Sequence, residues 1–97
     1  MKEFILQKEY QEWLANLKNL KGLSENTIAA YKRDVKKFIL FLRSYLGNDP
    51  TTIDLKKLSN ITFRGYLAEQ KNLGNSNVSI ARQISSLKSF FNYLIKI

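Results

Sequence analysis

Apolar residues return every three or four positions along almost the whole chain, the spacing of helices that bury one face. Leu6, Tyr10, Trp13, Leu17 and Leu20 form one such stripe, which predicts a first helix over residues 3–20, ended by Gly22. A longer pattern over 25–46 turns Ile28, Tyr31, Val35, Phe38, Ile39, Leu42 and Tyr45 inward and stops before Gly47. Ser24 offers a capping oxygen to the free amides of this second helix, and Glu25 places negative charge at its positive end. Asn48, Asp49, Pro50, Thr51 and Thr52 are turn residues, and 53–58 read as a loop or one helical turn. Phe63, Tyr66 and Leu67 mark a shorter helix over 60–71 with Ser59 as its cap. Ile80, Ile84, Leu87, Phe91 and Leu94 mark a last helix over 77–95, capped by Asn75 or Ser76. No sheet is expected, so the fold class is all-α, with four helices and room for one extra short turn. Leu40 and Phe41 fall off the main stripe of the second helix, and Phe41 is expected to cover the first helix or another neighbouring segment.

Composition narrows what such a bundle can do. Ninety-seven residues suit a single domain over 1–97, and a chain of that size buries only roughly 60–65% of its unfolded surface. Six Phe, five Tyr and one Trp are enough for a packed core. Sixteen Lys and Arg against eight Asp and Glu leave a net charge of +8, a field that draws polyanions and makes nucleic acid the first partner to consider. A basic surface kept for solubility is the alternative, and only the arrangement of the charges separates the two. There is no Cys and no His, which excludes disulfides and thiolate metal sites and removes the commonest general base. No metal or other cofactor is expected. The apolar run at the N-terminus is broken by Gln7, Lys8 and Glu9, too early for a signal peptide or a spanning helix. A cytoplasmic location fits.

Two helix faces could approach a duplex. A helix in the major groove needs short or flexible side chains where it meets the bases. On the second helix, Asn26 and Thr27 can hydrogen-bond, Ala29 and Ala30 allow close approach, and Arg33, Lys36 and Lys37 can reach phosphate or a guanine edge. On the last helix, the side opposite the expected stripe carries Val78, Ser79, Arg82, Ser85, Ser86 and Ser89, a small and hydroxylic face. Solvated charge on one helix and a close helix–helix contact inside an oligomer at the serines would explain the same residues without DNA. That second account describes a basic helical protein-interaction module. The aromatics, Tyr31, Phe38, Tyr45, Phe90 and Phe91 among them, read as core and not as base-stacking platforms. A helix lying on an anionic membrane is a minor alternative. Scattered carboxylates with no evident pair make an enzyme the weakest reading.

The segment from Gly22 to Phe38, with Leu23-Ser24, Thr27, Tyr31, Asp34 and Phe38 in order, resembles the N-terminal signature of tyrosine recombinases, the phage integrase family. The stretch from Gly74 to Leu94 looks like the last helix of the same domain, and the resemblance is closest to the Xer branch. Thr62 stands where an acidic residue is frequent, and Ser79 where Thr is usual. The resemblance implies a SAM-like orthogonal bundle whose second and fourth helices cross at the major groove, as half of a clamp around DNA. It implies Asn26, Thr27, Ala29, Ala30, Arg33 and Lys36 as contacts on one helix and Val78, Ser79, Arg82 and Ser86 on the other. It also implies a parent enzyme acting as a tetramer on two duplexes, in integration, excision or chromosome dimer resolution. The nucleophilic tyrosine would lie in a separate C-terminal domain absent from this chain, with Ile97 close to the linker. The isolated piece is then expected to be a monomer without catalysis, and Tyr45 and Tyr93 to be packing residues.

Overall fold

The computed structural model describes residues 4–96, and these are helical with no strand among them. Five helices follow in order: α1 (Gln7–Asn19), α2 (Glu25–Leu46), α3 (Thr52–Lys56), α4 (Asn60–Asn72) and α5 (Asn77–Lys96). The all-α expectation holds, and the four long helices fall where the apolar spacing places them. The expected start of α1 at residue 3 lies outside the described residues. Residues 4–6 form a turn ahead of the helix that tucks Phe4 and Leu6 into the core.

Each helix ends for a local reason. The chain leaves α1 through Gly22 at a φ of 63°, which lets the Leu23 amide donate back to the Leu17 carbonyl at 3.2 Å. Leu20 sits at the C-cap, past the last buried turn, and is exposed instead of joining the stripe. Ser24 caps α2 by accepting the Thr27 amide at 3.2 Å, and Ser59 caps α4 by accepting the Thr62 amide at 3.4 Å. Of the two candidates before α5, Ser76 takes the cap, accepting the Ser79 amide at 3.1 Å. The extra short turn is a helix of five residues, α3, held by a reciprocal box. The Asp54 amide donates to Thr51 Oγ1 at 3.2 Å and the Thr51 amide to Asp54 Oδ2 at 2.9 Å.

The core gathers around α2. Val35, Phe38, Ile39 and Leu42 are buried there, with Tyr10, Trp13 and Leu17 from α1, Tyr66 from α4, and Leu87, Phe90 and Leu94 from α5. Phe38 packs on Phe63 and Tyr66 with ring centroids 5.3 and 4.9 Å away, joining α2 to α4. Phe41 closes over Tyr66 at 4.9 Å, so the segment it covers is α4. Tyr45, expected in the stripe, is exposed and stacks on Phe41 from outside. The buried line of α5 is Gln83, Ser86, Leu87, Phe90 and Leu94, turned from the predicted one. Two neighbours share this helix: Phe90 reaches Trp13 of α1 at 5.1 Å, while Phe91 reaches Phe63 of α4 at 5.1 Å.

Candidate nucleic-acid interface

On α2, Asn26, Ala29, Arg33, Lys36 and Lys37 are all exposed and lie along one strip, because steps of three, four, three and one residues stay within one side of a helix. Among the described residues the ion pairs are Arg43 with Asp49 and Arg82 with Asp34, so the three cations of this strip carry unneutralised charge. The other two residues expected there are placed differently. Ala30 is buried, facing the core side of α2, and is no surface for a base. Thr27 is half-buried, and its Oγ1 accepts the Ser24 hydroxyl at 3.0 Å, so it serves the cap.

The face expected on α5 is largely consumed inside the chain. Val78 is 82% exposed, but Ser86 is fully buried, contrary to the reading of a solvent-facing serine. The turn of the buried line explains this, since Ser86 faces α2, where a small side chain permits close approach of the two helices. Its Oγ lies 3.1 Å from Asp34 Oδ2 and 2.9 Å from the Gln83 carbonyl, one proton shared between two acceptors. Ser89 accepts the Trp13 indole N–H at 3.0 Å. Ser79 donates to Asn75 Oδ1 at 3.3 Å and accepts the Gln83 side-chain amide at 3.2 Å, so it braces the turn between α4 and α5. Asn75 completes that brace by donating to the Gln70 carbonyl at 2.7 Å.

Arg82 is half-buried and reaches across to α2. Its Nε donates to Asp34 Oδ2 at 2.9 Å and its Nη2 to Asp34 Oδ1 at 2.8 Å, a bidentate pair on a carboxylate that is itself buried. These hydrogen bonds push the Arg82 guanidinium above its ordinary pKa, against the opposing effect of desolvation. Asp34 carried no site role in the sequence reading. The signal was an acidic residue beside Val35 at the edge of the buried sector, where a charge requires a partner.

A cleft of about 680 Å³ opens between α1 and α5, with Asn16, Lys21, Ser85, Lys88, Asn92 and Lys96 on its walls. Positions 85, 88, 92 and 96 recur at helical spacing, and this periodicity could have identified the cationic groove from sequence. Neither the Lys21 nor the Lys88 or Lys96 ammonium has an ion-pair partner among the described residues.

The model of the family described as "Phage integrase, N-terminal SAM-like domain" matches residues 10–96. The chain belongs to this family. Its relatives within the family include the tyrosine recombinase XerC of Rhizobium meliloti (strain 1021), 36% identical over 86 residues, 89% of this chain and 27% of the relative. A tyrosine recombinase of Pseudothermotoga lettingae is 46% identical over 81 residues, 80% of this chain and 26% of the relative. The tyrosine recombinase XerD of Listeria innocua serovar 6a is 43% identical over 75 residues, 77% of this chain and 24% of the relative. The chain thus spans about a quarter of the length of the curated relatives it matches. No solved structure gives a significant match. Membership makes this a recombinase-type domain, and no helix among the described residues is long and apolar enough to cross a membrane.

Proposed function

We propose that this domain, residues 1–97, grips double-stranded DNA for a site-specific tyrosine recombinase, and that strand cleavage belongs to a separate C-terminal domain of the parent. The observation that carries this reading is the strip Asn26, Ala29, Arg33, Lys36 and Lys37: a small, cationic face on a helix of 22 residues, with no ion-pair partner among the described residues. Ala29 opens the approach, Asn26 lies in the first turn where free amides favour phosphate, and the three cations flank the middle of the helix. In this reading Val78 and the outer edge of Arg82 are the contacts on α5, and Lys21, Lys88 and Lys96 of the α1–α5 cleft supply further cations for phosphate. Within the parent the partners would be other protomers, four on two duplexes, while the domain alone stays monomeric. The interaction-module alternative rested on the serine face, and Ser86 and Ser89 are spent within the chain.

An amide-shift NMR titration with a 12–16 bp duplex, about one helical turn or slightly more, tests the reading. Residues 26–37 and 78–82 are expected to shift together and to recover as salt rises. Engagement of about five phosphates gives a slope of log affinity against log salt of roughly −4.5, and Arg33→Ala makes it shallower by about 0.9. Shifts confined to residues outside these segments and the α1–α5 cleft would remove the proposed face, and no shift at all would remove DNA from the proposal.

A further inference from the structure

We propose that Asp34 positions Arg82 as a charge-compensated donor fork for the duplex, distinct from the free cations that grip phosphate. The inference rests on the DNA-binding reading and assigns one residue of that face a different task.

The geometry of the pair separates Arg82 from every other cation on the face. A guanidinium carries five N–H donors in one plane. Asp34 takes one from Nε and one from Nη2, at 2.9 and 2.8 Å, so three remain, one on Nη2 and two on Nη1, and the Nη1–Nη2 edge keeps a fork of two. The Arg82 side chain is 38% exposed while that of Asp34 is 6% exposed. One edge is therefore clamped in the fold and the rest reaches solvent. The clamp is itself held, because Ser86 Oγ donates to Asp34 from a fully buried position. A free arginine must give up rotamer freedom on binding, whereas this one is already fixed. Its outer edge matches two neighbouring acceptors on a base edge, such as guanine O6 and N7.

The electrostatics point the same way. A carboxylate within hydrogen-bonding distance cancels the long-range field of the guanidinium, so the pair adds little to the attraction for a polyanion. Arg33, Lys36 and Lys37 have no such partner among the described residues. Arg82 thus supplies direction, and the others supply the salt-sensitive grip.

The test uses duplexes selected from a randomised pool by the wild-type chain, with a scrambled duplex of the same composition as reference. Affinities are measured over a series of salt concentrations. The double variant D34N/R82Q leaves net charge unchanged and strands no buried carboxylate. It is expected to lose about 5- to 150-fold on the selected duplex, the range for one bidentate contact, and little on the scrambled one, with an unchanged salt slope. R33Q is expected to make the slope shallower by about 0.9 and to weaken both duplexes alike. R82K, which keeps the charge but not the planar fork, covers the case in which the double variant does not fold. It is expected to reproduce the loss of selectivity. A slope change in D34N/R82Q equal to that of R33Q makes Arg82 an ordinary phosphate cation and overturns the proposal, as does R82K selecting like wild type. Wild-type protein that binds no duplex sinks the DNA reading and this inference together. Normal binding by a folded, unaffected Arg82 variant sinks the inference alone.

Discussion

Tyr10 and Tyr66 are each only 2% exposed, yet their hydroxyls meet different fates. The Tyr10 hydroxyl donates to the Lys32 carbonyl at 2.8 Å, tying α1 to α2, while the buried Tyr66 hydroxyl has no partner among the described residues. A net hydrogen bond contributes about 1 kcal/mol, and an unsatisfied buried group costs a comparable amount or more. Tyr10→Phe is therefore expected to lower stability by about 1 kcal/mol, and Tyr66→Phe to leave it unchanged or raise it. Urea denaturation of the two variants checks the pair, and a larger loss at Tyr66 would contradict it. Hydroxyl partners of this kind were beyond reading from sequence, and so was the identity of the partner that Asp34 requires. Helical spacing marks which residues are apolar, but it does not say that a carboxylate at position 34 will meet an arginine 48 positions later. Asn26, Ala29, Arg33, Lys36 and Lys37 were legible because an exposed helix face needs only its own periodicity to be seen. Ala30 and Ser86 were misread because small residues suit a close helix contact and an open surface equally well.

At the scale of the element, the long helices were legible from their stripes and caps. The exceptions have local causes. Five residues are too few to show a period, so 53–58 read equally as a loop or one helical turn, although Thr51 and Asp54 spell the box that caps α3. The buried line of α5 turned because it serves two neighbours, and a single stripe drawn through Ile84 and Phe91 follows only the α4 side. Two glycines make the backbone argument testable in opposite directions. Gly47 ends α2 at a φ of 81°, a left-handed conformation that costs an L side chain roughly 1–2 kcal/mol. Gly65 lies inside α4 at ordinary helical geometry, and an added Cβ there meets nothing within 4 Å. Gly47→Ala is expected to destabilise by about 1–2 kcal/mol and Gly65→Ala to stabilise by about 0.5–1 kcal/mol, both read from thermal melts. Stabilisation by both alanines would refute the left-handed assignment at Gly47.

Taken whole, the molecule has a radius of gyration of 13.1 Å, close to the roughly 13 Å of a well-packed chain of this length. Its response to alkali follows from the core. Burial pushes the Tyr10 hydroxyl up to about 12, and burial together with the charges of Asp34 and Glu69 pushes Tyr66 up to about 12, from an ordinary value of 10.0. The unfolded chain therefore releases these protons first. The stability they contribute is complete below pH 10 and is lost as pH rises from 10 towards 12. Tyrosinate absorbance followed alongside circular dichroism is expected to show late ionisation of these two rings coinciding with loss of helix. Early ionisation of all five tyrosines with helix intact would contradict the buried placement.

The only tryptophan stands where three helices meet. Trp13 of α1 stacks on Tyr31 of α2, meets Phe90 of α5 edge-on, and donates its indole N–H to Ser89, with the α1–α5 cleft beside it. The protein consequently carries its own optical reporter. One label-free emission spectrum watches the junction of α1, α2 and α5 assemble, from a position within reach of whatever enters the groove.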